Sequence, residues 1–183
     1  TVTGVQTCAL PIFDAALKGR AIARNAGVTL ASTLSDVSMI RFCREGLEAI
    51  VGQGADDSLD FLFCNEEEAQ VWCNSEDMEQ ICVQLGQRAR VVCITRGSKG
   101  CLVVSEGRVE HVEASPVTAV DTNGAGDMFA GAFLYGVTHG HDLLASARLA
   151  NMAAARVVSQ HGNRLSQQAI EEVKQQFAAR TAT

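Results

Sequence analysis

The run Asp121-Thr122-Asn123-Gly124-Ala125-Gly126-Asp127 joins a turn of small residues to a carboxylate, and an apolar stretch, Met128 to Val137, follows it. Gly124 and Gly126 let a backbone turn without a Cβ clash. A helix beginning there leaves its first N–H groups aimed at the turn, and such a helix end attracts anions. Asp127 then lies in the first helical turn, placed to take a proton from a hydroxyl. The amides of Gly124, Ala125 and Gly126 would hold the charge on a transferring phosphoryl group. The same residues are also ordinary helix-start chemistry, and on this segment alone that reading is the stronger one.

Two other segments carry weaker signals of the same kind. Asn65-Glu66-Glu67-Glu68 directly follows an apolar run, which puts its carboxylates at the carboxyl end of a strand, where open α/β sheets bind ligands. Glu68 is placed there to act on a metal through water; the alternative is an acidic first turn that complements the helix dipole. Thr95-Arg96-Gly97-Ser98-Lys99-Gly100 also follows an apolar run, and its glycines and the Thr95 hydroxyl could approach phosphates. The alternative is a plain strand-to-strand turn. The spacing is not that of a P-loop, so a Walker-type NTPase is not supported.

The elements that must position these residues follow from periodicity. Ala15 to Ala26 reads as a helix ending at Gly27, Val28 to Leu34 as a buried strand, and Met39 to Val51 as an amphipathic helix closed by Gly52-Gln53-Gly54. Leu59 to Cys64 and Val91 to Thr95 are two more strands, separated by short helices over Glu66 to Trp72 and Asp77 to Arg88. This alternation predicts a parallel sheet covered on both faces. Cys101 to Val104 and Arg108 to Val112 form a β-hairpin around Ser105-Glu106-Gly107, and three helices close the chain: Ala125 to Val137, Leu143 to Ser159 and Ser166 to Ala178.

Composition limits the partners. With 183 residues, 47% hydrophobic and 20% charged, the chain is long enough for one sizeable core, and one domain is expected. Fifteen basic against 21 acidic residues give a net charge of −6, which argues against nucleic acid as a partner. No apolar stretch approaches the roughly 20 residues of a membrane helix. Seven cysteines, an odd number without C-x-x-C spacing, read as reduced thiols, and the expected setting is the cytoplasm.

The three segments agree in placement and chemistry, and together they outweigh the ordinary reading of each. N-E-E-E at Asn65, T-R-G-S-K-G at Thr95 and D-T-N-G-A-G-D at Asp121, with Met128-Phe129-Ala130-Gly131 after it, resemble in order the motifs of ribokinase-like carbohydrate and nucleoside kinases of the phosphofructokinase-B type. The resemblance runs from about Asp14 to Gln176. Thr33-Leu34-Ser35-Asp36, Leu62 to Ala69 and Ala153 to Ser159 look most like the bacterial adenosine-kinase branch. It implies a three-layer α/β fold with a mostly parallel sheet flanked by helices, truncated at the amino terminus. It also implies ATP and Mg2+ as cofactors and a nucleoside, adenosine, or a sugar such as ribose or fructose as acceptor.

Carried over position by position, the resemblance makes Asp127 the catalytic base and the amides of Gly124, Ala125 and Gly126 an anion hole. Phosphate contacts fall to Thr95, Gly97 and Gly100, and Asn65 and Glu68 act on magnesium and phosphate. The adenine lies between the segment before Asp121 and the helix bearing Asn151 and Ala154, where Asn151 has an even alternative as a polar residue of a packed helix. His161-Gly162 reads as a helix end, and His139 and His141 are assigned no metal. Many relatives use a monovalent cation near a loop like Asp121 to Asn123, and the sequence leaves its use here open.

The family's amino-terminal half supplies a β-sheet lid, a Gly-Gly motif and most of the acceptor pocket, and nothing before Asp14 matches them. The isolated chain is therefore expected to be inactive. Thr1 to Phe13 resembles a translated sequencing-adapter peptide and is expected to be a non-native or disordered junction, with residues 14–183 forming the ATP-binding carboxy-terminal part of a kinase domain. Pro11 argues against an uninterrupted helix leading into that part. A non-catalytic nucleotide-binding module is the alternative of another class.

Overall fold

A computed structural model of the chain describes residues 4–52, 54 and 57–181. Five strands, β1 (Ala31–Thr33), β2 (Leu59–Asn65), β3 (Ala89–Thr95), β4 (Cys101–Ser105) and β5 (Arg108–Val112), form a sheet in that order. β1 and β2 pair in parallel, with Ser32 opposite Leu62. β4 and β5 are joined by Glu106 and Gly107 at φ 52° and 73°, the two positive values that a type I′ hairpin turn requires. Where one domain was expected, the chain divides into two compact units, Thr1–Ile94 with Val104–Val109, and Thr95–Val103 with Glu110–Thr183.

The first unit carries α1 (Gly4–Asn25), α2 (Val37–Phe42), α3 (Arg44–Val51), α4 (Glu66–Cys73) and α5 (Met78–Gly86). β3 is buried along almost its whole length, as a strand covered on both faces must be. Leu34, Val51, Leu62, Ile81, Leu85 and Val92 are fully buried around it.

Three expectations are corrected here. α1 runs through Pro11 without a break. A helical proline forfeits one hydrogen bond at a cost of about 3 kcal/mol, and the helix is tied down beyond it. The Phe13 ring sits 2.8 Å from where a Cβ on Gly46 would fall, Arg20 pairs with Asp57 at 2.8 Å, and Arg24 donates to the Ser58 carbonyl at 2.8 Å. The strand expected over Val28 to Leu34 shrinks to Ala31–Thr33 because the Asp60 carboxylate takes the Leu30 amide at 2.8 Å. The helix expected over Met39 to Val51 is split at Cys43, whose φ of −126° and ψ of 27° are not helical. Arg44 there reaches the Trp72 carbonyl at 2.9 Å and lies 4.9 Å from the centre of the Trp72 ring.

The second unit is built on α6 (Ala125–Thr138), α7 (Leu143–Val158) and α8 (Gln167–Thr181). Ala145, Leu149, Met152, Ala153, Val173 and Phe177 form its core, with Met128 and Ala132 packed against it. α6 and α7 approach closely at Gly136, where a Cβ would fall 2.6 Å from Ser146 Oγ. Cys43, Cys64, Cys73, Cys82, Cys93 and Cys101 are all thiols. Among the described residues no helix is long and apolar enough to cross a membrane.

Candidate active site

The segment before α6 is held by its own carboxylate. Asp121 Oδ1 accepts from the Asn123 amide at 3.0 Å and Oδ2 from the Gly162 amide at 3.2 Å. These amides, Asn123 first, hold the Asp121 carboxyl below its usual range. The Val120 and Asp121 amides both donate to the Val158 carbonyl at the end of α7, at 2.8 and 3.2 Å.

Gly124 is the N-cap of α6 at φ 77° and ψ 4°, and as a glycine it brings no side chain to cap the helix. A Cβ on Gly124 would fall 2.6 Å from that of Asn163, so the turn excludes any other residue on both conformational and steric grounds. The Met128 amide closes the first helical bond to the Gly124 carbonyl at 2.9 Å, while the Ala125 amide makes a long 3.3 Å bond to Thr122. Asp127 is exposed and lines a cavity of about 490 Å3 together with Met128, Ala132, Leu149, Arg164 and Lys174.

Gly126 is not a turn residue. It is helical with φ outside the left-handed range, and a Cβ added to it meets nothing within 4 Å. The turn is made by Gly124 alone. The space beside Gly126 is open.

The Thr95–Gly100 segment is a single 3-10 turn, Gly97–Lys99, closed by the Arg96 amide on the Gly100 carbonyl at 2.8 Å. Gly97 at φ 57° has open space around its Cβ position. Gly100 at φ 82° has the Val112 carbonyl 2.0 Å from that position. Asn151 on α7 is buried, its Nδ2 within 3.2 Å of the Val112 carbonyl and 2.9 Å of the Glu113 carbonyl, and Ala154 lies half-buried one turn on. Thus α7 bonds to the segments beside Gly100 and Gly124, through Asn151 at one and the Val158 carbonyl at the other.

Asn65 and Glu68 belong to the first unit, where they form a reciprocal cap on α4. The Glu68 amide donates to Asn65 Oδ1 at 2.8 Å, and the Asn65 amide and Nδ2 donate to the two Glu68 oxygens at 3.0 and 2.7 Å. Glu68 is 6% exposed, and burial pushes its carboxyl above its usual range against the opposing pull of Asn65. The expected solvated acidic turn is therefore confined to Glu66 and Glu67. His139 stacks on Tyr135 at 3.8 Å between ring centres and His141 meets the Phe177 ring edge at 5.1 Å. No group of three metal-binding side chains occurs among the described residues.

Sequence reasoning missed Asn163, which seats Gly124, and the Val112 carbonyl, which fixes Gly100. Neither has a local signal, since a backbone atom approaching from 12 residues away leaves no pattern in residue type.

The profile of the pfkB family carbohydrate kinases matches residues 15–170. The chain belongs to this family. An adenosine kinase from Sinorhizobium meliloti superposes with a TM-score of 0.79 at 32% identity, over 93% of this chain and 50% of that one. A ribokinase from Staphylococcus aureus (strain COL) is 38% identical over 87 residues, 47% of this chain and 29% of that protein. A putative ribokinase II from E. coli, solved in complex with ATP and Mg2+, shares the fold with a TM-score of 0.77 at 24% identity, over 92% of this chain and 54% of that one. The chain spans about half the length of these two solved structures.

Proposed function

We propose that residues 14–183 are the ATP-binding part of a kinase that phosphorylates a hydroxymethyl group of a nucleoside, adenosine, by direct in-line transfer. The observation that carries this reading is the start of α6, where a left-handed glycine without a side chain to cap the helix is followed by an exposed carboxylate in the first turn. The family match and the likeness to an adenosine kinase support it.

The residues fit Mg·ATP, which when bound supplies the electrophilic phosphoryl group. Asp127 accepts the proton of the attacking hydroxyl. The amides of Gly124, Ala125 and Gly126 meet the charge that builds on the transferring group, and Ala125 has only a 3.3 Å bond to give up in doing so. Thr95, Gly97 and Gly100 line the remaining phosphates, and the base lies against α7 near Ala154, while the Asn151 carboxamide nitrogen is engaged by the Val112 and Glu113 carbonyls. Glu68, fixed through both oxygens by Asn65, would be the residue to act on the metal through water, and the metal would neutralise charge on the phosphates.

The test is a panel of acceptors offered to a kinase in which these residues are joined to a complete amino-terminal half. Phosphate is expected to pass from labelled ATP to adenosine in preference to ribose or fructose. Preferential transfer to a sugar would replace the acceptor but keep the reaction. ATP binding with no transfer to any member would establish the non-catalytic module instead.

A further inference from the structure

Asn151 sits in a part of α7 that is otherwise built of small and apolar side chains, among them Ala147, Leu149, Ala150 and Ala153, and it is 8% exposed. A carboxamide offers two protons on its nitrogen. Here three acceptors surround that nitrogen: the Glu113 carbonyl at 2.9 Å, the Val112 carbonyl at 3.2 Å and Cys101 Sγ at 3.7 Å. Two carbonyls cannot face the carboxamide oxygen, so the orientation of the group is fixed, and both protons are engaged within the protein.

The same Val112 carbonyl presses on the other side against Gly100, 2.0 Å from where a Cβ would stand, with the Ala114 amide at 2.7 Å from that position. One residue earlier, His111 Nε2 lies 2.7 Å from the Lys99 carbonyl. That carbonyl only accepts, so Nε2 carries the proton. Residues 111–113 thus hold the turn of Gly97–Lys99 on one side and are themselves held by Asn151 on the other.

We propose that Asn151 is a positioning residue for the Thr95–Gly100 turn, acting through the Val112 and Glu113 carbonyls, and that it does not read the nucleotide base. The assignment rests on the reading of that turn as a phosphate site. Removing the two donors leaves two carbonyls without their partner, and a strand end that recovers them from solvent must leave Gly100. The turn then loses its backing. Its amides lose their aim at the phosphates, whatever base those phosphates carry.

Two measurements on the 183-residue chain test this. In Asn151→Leu, which keeps volume and loses the donors, the amides of Arg96, Lys99 and Gly100 that close the turn are expected to exchange with solvent about 10-fold faster, the loss of one buried hydrogen bond. Amides of α5 and α8 should be unchanged. His111→Ala, at an exposed position where folding is not at stake, should quicken Lys99 and Gly100 alone. Unchanged exchange at the turn in both variants would overturn the proposal. In the second measurement ATP, GTP and inorganic tripolyphosphate are titrated into the wild type and Asn151→Leu, and all three affinities are expected to fall by the same factor. A loss confined to ATP, with tripolyphosphate unaffected, would show that Asn151 reads the base and would overturn the proposal. If the wild type bound none of the three, the phosphate reading of the turn would fail, and the exchange rates alone would decide whether Asn151 holds it.

Discussion

Asp127→Asn, made in an active kinase that contains this chain, is expected to lower kcat by roughly 10² to 10⁴ while the KM for ATP changes little. The substitution keeps the shape of the side chain and removes the proton acceptor. Asp127 is exposed, so the fold does not depend on it. Loss of its charge from the first turn of α6 costs about 0.3–1 kcal/mol of helix-dipole energy, too little to explain a fall of that size. Steady-state kinetics with a parallel melting curve separate the two effects. A near-normal kcat would make the carboxylate a helix-start charge and nothing more.

The largest effect on stability is expected at Gly100. Its φ of 82° and ψ of −135° lie in a region essentially reserved for glycine, and a methyl group would fall 2.0 Å from the Val112 carbonyl. Backbone strain of about 1–2 kcal/mol and overpacking of about 1–3 kcal/mol act together in Gly100→Ala. The melting temperature should fall by roughly 4–20 °C, at about 2–4 °C per kcal/mol for a chain of this size. Gly97→Ala is the control. That residue is also left-handed, at φ 57°, but nothing lies within 4 Å of its Cβ position, so only the backbone term of about 1–2 kcal/mol applies. Equal losses in the two variants would mean that the approach of Val112 does not constrain the turn.

What could be read from the sequence was what local rules govern. The Glu106-Gly107 hairpin turn depends on adjacent residues and falls where expected, and α6 begins at Ala125 as expected. The corrections share a different cause. The break at Cys43 comes from Arg44 reaching Trp72, 28 positions away, and the shortening of β1 from Asp60 reaching Leu30. Helical periodicity on either side of Cys43 is continuous, so nothing in residue type marked the break. Gly126 was read as a turn residue because glycine in such a run suggests one; its real environment is a helix with empty space beside it. Asn151 was legible as a polar residue on a packed helix, but its partners are backbone carbonyls, which have no signature in a sequence.

That empty space beside Gly126 gives the most direct test of the account. Because nothing in the protein occupies it, Gly126→Ala should melt at or slightly above the wild-type temperature, alanine being the better helix former. If the amides of Gly124, Ala125 and Gly126 cradle a phosphate, the added methyl group stands where the phosphate oxygens must come. Calorimetric titration of Mg·ATP into the 183-residue chain and into Gly126→Ala should then show an affinity at least ~10-fold weaker in the variant, with no loss of stability. Equal affinities, with both proteins folded, would contradict the placement of the phosphate at the start of α6.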